Sequence, residues 1–173
     1  MSTKFSELGV PMWITESLSQ RGIVEPFEIQ EKTIREGLAG KDICGRAPTG
    51  SGKTLAFGIP LVVQTKKSKP KKPQSLVLAP TRELAEQISN ELRSFSGKRK
   101  VFVVYGGVGY GPQRKALANG VDILVACPGR LEDLIEQKEL HLAEVKQVVI
   151  DEADRMADMG FMPAVKRILD QTS

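Results

Sequence analysis

Short apolar runs alternate along this chain with longer segments of helical period, and that alternation limits the fold more than any other feature. The runs are Asp42 to Arg46, Ser75 to Ala79, Val101 to Tyr105, Val121 to Cys127 and Gln147 to Ile150. Each is rich in Val, Ile or Leu without polar alternation, the pattern of strands covered on both faces in a parallel sheet. Between them, LAEQISNELRSF sets Leu84, Ile88, Leu92 and Phe95 at helical spacing, GPQRKALANG ends at Gly120 in a glycine C-cap, and PGRLEDLIEQKEL reads as a further helix. Strand and helix in turn imply right-handed crossovers and a doubly wound, three-layer α/β/α domain with a mainly parallel sheet. PMWITESLSQ and IQEKTIREGLAG read as two helices ahead of the first run. We therefore expect a helical segment over residues 1–40 and an α/β core over residues 41–173.

A chain of 173 residues is long enough for one domain with a real core. No uncharged run approaches the roughly 18 residues of a membrane helix, and no apolar stretch follows a basic N-terminus. These features lead us to expect a soluble, untargeted, cytoplasmic protein. Cys44 and Cys127 match no metal or redox spacing and sit in apolar runs, so packed, reduced thiols are expected. The net charge of +4 is local: without the five lysines of KKSKPKK, residues 66–72, the chain would be slightly acidic. With Pro70 inside it and Pro73 after it, this run reads as a solvated loop, either an auxiliary phosphate binder or a soluble connection. His141 has no acid–base partner in sequence and reads as a surface residue; Trp13 reads as packing its helix on the domain.

Ligands of such sheets bind beyond the carboxyl ends of the strands, so the segment after each run is informative. APTGSGKT comes after the first, PTRELA after the second, GGVGYG after the third, PGR after the fourth and DEAD after the fifth. The pattern A-x-x-G-x-G-K-T between a strand and a helix is a phosphate loop. Its backbone N–H groups over Gly50 to Thr54 would surround a β-phosphate at a helix N-terminus, with Lys53 on the β and γ oxygens. The Thr54 hydroxyl would face Mg²⁺. Asp151, at a strand end, would hold that ion through water, and Glu152 would polarise the attacking water. Asp154 reads as the N-cap of RMADMGF. GGVGYG resembles a dinucleotide fingerprint but puts Pro112 where the third glycine belongs, so no dinucleotide site is expected there. Its Gly106 and Gly107 suit either a tight turn or close approach of another backbone.

These motifs, in this order, resemble the N-terminal RecA-like domain of the DEAD-box RNA helicases over nearly the whole chain. APTGSGKT is similar to that family's motif I, PTRELA to motif Ia, Gly106-Gly107 to its GG element, CPGR to motif Ib and DEAD to motif II. GIVEPFEIQ resembles its Q motif, with Phe27 where Thr or Ser is usual. The resemblance implies ATP and Mg²⁺ as cofactors. It assigns nucleotide contacts to Phe5, stacked on adenine, to Gln30, pairing with the base edge, and to Thr49, Gly50, Ser51, Gly52, Lys53 and Thr54. It assigns Mg²⁺ to Thr54 and Asp151, catalysis to Lys53, Asp151 and Glu152, and the RNA backbone to Thr81, Arg82, Gly107, Pro128, Gly129 and Arg130. Cys127 stands where the family has Thr.

The resemblance further implies a second RecA-like domain carrying an arginine finger, which is not in these residues, so this chain by itself is expected to be a nearly inactive monomer. The expected activity is then that of an RNA-dependent ATPase and helicase, of which this is the nucleotide-binding half. A different phosphate-loop enzyme, such as a small-molecule kinase, and a non-catalytic nucleotide- or RNA-binding module are the alternatives at this point.

Overall fold

The computed structural model describes residues 2–48 and 50–173. Thr49, expected among the nucleotide contacts, lies outside the described residues. The chain divides into two compact units, Met1–Gln64 with Glu91–Lys98, and Thr65–Asn90 with Arg99–Ser173.

The first unit begins with a 3-10 turn at Phe5–Leu8 and contains helices α1 (Met12–Gln20), α2 (Glu28–Leu38) and α3 (Lys53–Gln64). Its interior is made by Phe5, Leu8, Ile14, Leu18, Ile34, Ile59 and Val62, all buried. Helices α2 and α3 touch closely because Gly37 lacks a side chain: a Cβ there would lie 2.8 Å from Pro60 Cγ. Pro60 forfeits a hydrogen bond inside α3, and its ring fills the space that Gly37 leaves. Gln64 Nε2 donates to the carbonyls of Gly37 (2.9 Å) and Leu38 (3.1 Å), satisfying the end of α2. Trp13, expected to pack its helix, does so only in part: it is 38% exposed, and its ring edge covers Gly97, with Cζ3 3.0 Å from where a Cβ would stand.

The expected strand Asp42–Arg46 does not form: the segment has no regular structure and is exposed throughout. Only three residues separate its two charged ends, and Gly45 among them contributes no side chain to a ladder. Cys44 is accordingly exposed instead of packed.

The second unit holds the other four runs as β1 (Ser75–Leu78), β2 (Val101–Val104), β3 (Ile123–Ala126) and β4 (Gln147–Ile150). Helix α4 (Arg82–Arg93) follows β1, α5 (Tyr110–Asn119) follows β2, α6 (Pro128–Glu136) follows β3, and α7 (Ala153–Asp158) and α8 (Met162–Leu169) follow β4. The strands form one parallel sheet in the order β2-β3-β1-β4. In register, Phe102, Leu124, Leu76 and Val148 make one row across it, and Val104, Ala126, Leu78 and Ile150 the next. Both rows join a core with Leu117 of α5, Leu131 and Leu134 of α6, Met156 of α7 and Val165 and Ile168 of α8. Each such aliphatic side chain contributes about 1.5–3 kcal/mol by leaving water. Val77, Ile123 and Val125, on the opposite face, are also fully buried. In β1 and β3, buried at every residue, this cover on both faces is why no polar alternation appears.

The lysine run is not a free loop. Lys69 and Lys72 pair as an antiparallel bridge, Lys71 takes a left-handed backbone (φ 60°), and Pro73 is buried. Among the described residues no helix is long and apolar enough to cross a membrane.

Candidate nucleotide and RNA sites

In the first unit the glycine loop has the backbone that its composition demands. Gly50 (φ 81°) and Gly52 (φ 79°) are left-handed, a region costing other residues roughly 1–2 kcal/mol. Ser51 N–H donates to Pro48 O at 3.2 Å, and helix α3 starts at Lys53. The first N–H groups of that twelve-residue helix and its positive dipole end therefore face the loop. Such an end is a ready anion site.

Gln30 ties the loop to α2. The residue is 1% exposed; its Nε2 donates to Gly52 O at 2.9 Å, and its Oε1 accepts from Phe27 N–H at 2.8 Å. One donor and one acceptor of the carboxamide are thus already committed within the protein. Gly52 is enclosed by the same residues: a Cβ on it would come within 2.2 Å of Gln30 Nε2 and 2.7 Å of Phe27 Cδ2. Gly52→Ala combines left-handed strain with overpacking, so we expect it to destabilise the protein by about 3 kcal/mol. A thermal melt checks this, and an unchanged Tm would contradict the packing described here.

Phe5, expected to stack on adenine, is otherwise employed. Phe5 is 3% exposed, its ring consumed by the core, so this structure presents no face of it for an adenine to stack on. Phe27 is 58% exposed and lies against Gly52. The polar residue usual at position 27 gave no reason to look there for an aromatic surface.

In the second unit the strand ends line up. The ladder continues one residue past the strands, with Ala79 N–H donating to Ala126 O, Cys127 N–H to Val104 O and Asp151 N–H to Leu78 O, each at 3.0 Å. PTRELA, GGVGYG, PGR and DEAD therefore leave one sheet edge together. Asp151 is 4% exposed, and its Oδ1 accepts from Glu152 N–H at 3.0 Å. Glu152 has a left-handed backbone (φ 51°, ψ 51°), a strain of roughly 1–3 kcal/mol for a non-glycine. Its carboxylate lies 3.3 Å from Arg155 Nη1. Glu152, not Asp154, takes the cap position of α7; Asp154 lies in the first turn, where its charge suits the dipole.

Thr81 Oγ1 accepts from Leu84 N–H at 3.2 Å and so caps α4. The exposed Arg82 guanidinium lies 4.7 Å from the Tyr105 ring centroid, a cation–π contact. The Tyr105 hydroxyl donates to Glu86 Oε1, and this bond, reinforced by burial, raises the phenol above its ordinary pKa. Gly107 is left-handed (φ 82°), and neither it nor Gly106 has a neighbour where a Cβ would stand.

Arg130, expected on the RNA, is turned inward and 8% exposed. Nη1 donates to Val108 O (2.9 Å) and Gln113 Oε1 (3.3 Å), while the guanidinium carbon lies 3.9 Å from the Tyr110 ring centroid. Gln113 Nε2 in turn donates to Tyr105 O at 3.2 Å, and Tyr110 OH to Asp133 Oδ2 at 3.2 Å. The side chain positions the glycine turn from beneath. No local signal distinguishes this arginine from an exposed one, because its partners lie 17 to 22 residues away.

Cys127 is half-buried; burial, assisted by the Glu83 charge, pushes its thiol up to about 11. Since the thiolate is the reactive form, we expect iodoacetamide at pH 8 to label Cys44 at least tenfold faster than Cys127. Peptide mapping by mass spectrometry reads the ratio, and equal rates would refute the assigned environments.

Among the described residues no three His, Cys, Asp or Glu side chains gather to hold a metal directly. Asp151, a buried carboxylate at a strand end, is nevertheless the hard oxygen donor that Mg²⁺ takes, and that ion keeps most of its waters.

The DEAD/DEAH box helicase family model matches residues 27–173. This chain belongs to that family. It is 44% identical over 173 residues to DEAD-box ATP-dependent RNA helicase 3A, chloroplastic, of Zea mays, covering 96% of this chain and 23% of that protein. It is also 44% identical over 175 residues to the ATP-dependent RNA helicase DBP2 of Lodderomyces elongisporus, covering 98% and 32%. Among solved structures, a DEAD box protein from the hyperthermophile Methanococcus jannaschii superposes with a TM-score of 0.91 at 38% identity, over 98% of this chain and 47% of that one. The chain thus spans about a quarter to a third of the length of these curated relatives. Its all-parallel sheet is that of the family's RecA-like domain.

Proposed function

We propose that this domain is the nucleotide-binding half of an ATP-dependent RNA helicase, taking ATP with Mg²⁺ on its glycine loop and one RNA strand on the carboxyl edge of its sheet. The observation that carries the reading is the left-handed pair Gly50 and Gly52 at the start of α3, held by the buried Gln30 amide. In this reading Lys53 neutralises the β and γ phosphate oxygens, and Thr54 and Asp151 hold the hydrated Mg²⁺, which supplies charge neutralisation to the phosphates. Glu152 orients the attacking water. Ser51, Gly50 and Thr49 give the remaining loop contacts. Reading of the base edge by Gln30 requires its buried amide to leave Gly52 O and turn outward when nucleotide binds, with Phe27 supplying the exposed aromatic face.

Thr81, Arg82, Gly107, Pro128 and Gly129 hold phosphates and sugars of the RNA, and Arg130 shapes the glycine turn among them. Backbone contacts of this kind give affinity without base readout. A second RecA-like domain in the same protein completes both sites and supplies the arginine finger, worth roughly 10³–10⁵ in rate. The domain alone is then a nearly inactive monomer. The cytoplasmic placement expected from composition belongs with this proposal, although relatives carry the names chloroplastic and mitochondrial.

Titration of this chain with fluorescent ATP, GTP and AMP tests the reading. ATP is expected to bind more tightly than GTP, and Gln30→Ala to lower that preference about tenfold, the value of one good bidentate pair. Equal affinity for both purines in the unaltered chain would overturn the adenine site.

A further inference from the structure

We propose that the amino-terminal edge of the sheet, opposite the helicase motifs, is a second and nucleotide-independent binding surface for the RNA phosphate backbone. It is built from two basic segments about thirty residues apart. Asp122, 5% exposed, joins them: its Oδ1 accepts from Ser68 N–H and its Oδ2 from Lys100 N–H, both at 2.7 Å. Arg99 Nε also donates to Thr65 O at 3.1 Å. The lysine run is fixed at its far end as well, where Lys71 N–H donates to Leu117 O and Lys71 O accepts from His141 N–H, at 2.9 and 2.8 Å. Lys66, Lys67, Lys69 and Lys72 are thereby held beside Arg99 and Lys100, just ahead of β1 and β2.

Asp122, Glu144 and Glu139 bring three negative charges to this edge against the five positive charges of Lys66, Lys67, Lys69, Lys71 and Lys72 alone. Asp122 accepts from two backbone N–H groups and keeps its charge. Glu144 is divided between Lys69 (3.9 Å) and Lys72 (3.8 Å), and Glu139 between Lys71 (3.7 Å) and Arg114 (3.3 Å). Exposed pairs of this length contribute about 0–1 kcal/mol and yield readily to a competing anion. The surface is therefore a preassembled cationic strip. Residues 65–73 and 99–101 contain no aromatic side chain. Protein interfaces are depleted in lysine and anchored by aromatics and arginine, so this composition suits a polyanion better than a folded partner. Lysines as point charges grip phosphates without reading bases. Four-residue strands put roughly 13 Å of sheet between this edge and the motifs, so an RNA here does not occupy the motif edge.

The experiment measures fluorescence anisotropy of a labelled 20-nucleotide oligouridine with this chain, without nucleotide, at 50 to 200 mM KCl. The variants are Lys66→Glu/Lys67→Glu/Lys69→Glu together and, on the other edge, Arg82→Ala; circular dichroism melts confirm folding. The triple variant is expected to bind about tenfold more weakly, with a salt slope smaller by about 2, since each lost single-strand phosphate contact removes about 0.7. Binding by the triple variant with the affinity and slope of the unaltered chain would overturn the proposal, as would failure of the unaltered chain to bind. So would displacement of the RNA by polyglutamate at equal charge concentration, which would assign the strip to acidic protein segments. Loss of binding in Arg82→Ala with no loss in the triple variant would leave the motif-edge reading standing and remove this one.

Discussion

Lys53→Ala is expected to weaken ATP binding by this domain about a hundredfold. The ammonium stands at the first residue of α3, where the helix dipole and unsatisfied N–H groups repel a cation. A phosphate group reverses that penalty. Hydrogen bonds to charged groups are each worth about 1.5–3 kcal/mol, and a lysine spanning two phosphate oxygens loses about 3 kcal/mol on truncation. A thermal melt confirms that the variant is folded at the titration temperature. Titration with a fluorescent ATP analogue reads the effect directly. In a protein carrying both helicase halves, hydrolysis should fall further, since loss of a charge-stabilising donor costs about 10²–10³ in turnover. ATP affinity equal to that of the unaltered chain would remove the phosphate loop from the proposed function.

Glu152→Gln is expected to separate binding from turnover. The amide keeps the size of the carboxylate but cannot take a proton or draw one from water. Positioned acid–base groups contribute typically 10²–10⁴ in rate, so RNA-stimulated hydrolysis by a two-domain protein should drop by that order, with ATP affinity within about twofold. Stability is a clean control, because the pair with Arg155 is partly exposed and weak. The strained backbone of Glu152 stays as it is in the variant, so any loss traces to charge. Equal hydrolysis rates for variant and unaltered protein would refute the role assigned to this residue.

Four of the five apolar runs are strands in the structure because each is nearly continuous in large apolar residues; β1 and β3 are buried throughout, β2 and β4 only partly. The run that failed, Asp42–Arg46, had the right neighbours in sequence but too little apolar surface of its own. Helices α1, α2, α4, α5 and α6 were legible from spacing and caps; α8, eight residues long, and the four-residue 3-10 turn were too short to show a repeating pattern. At the sites, the left-handed glycines were predictable from their type alone. What the sequence concealed was direction: Arg130 points in, Phe5 is consumed by the core, and Phe27 faces out. Each depends on partners far along the chain, as does the lysine run, whose order comes from Asp122 some fifty residues later. Local composition describes what a residue prefers; it carries no information about which distant group will meet it.

The buried guanidinium of Arg130 couples two segments that a motif-by-motif reading treats as separate. It holds the Val108 carbonyl and supports the Tyr110 ring, whose hydroxyl returns to Asp133 on the helix whose first turn carries Arg130. The turn after β2 and the start of α6 are thus one mechanical part. Transplanting either from a relative without the other would leave a buried cation short of an acceptor, so the two are exchangeable among homologous domains only as a matched pair.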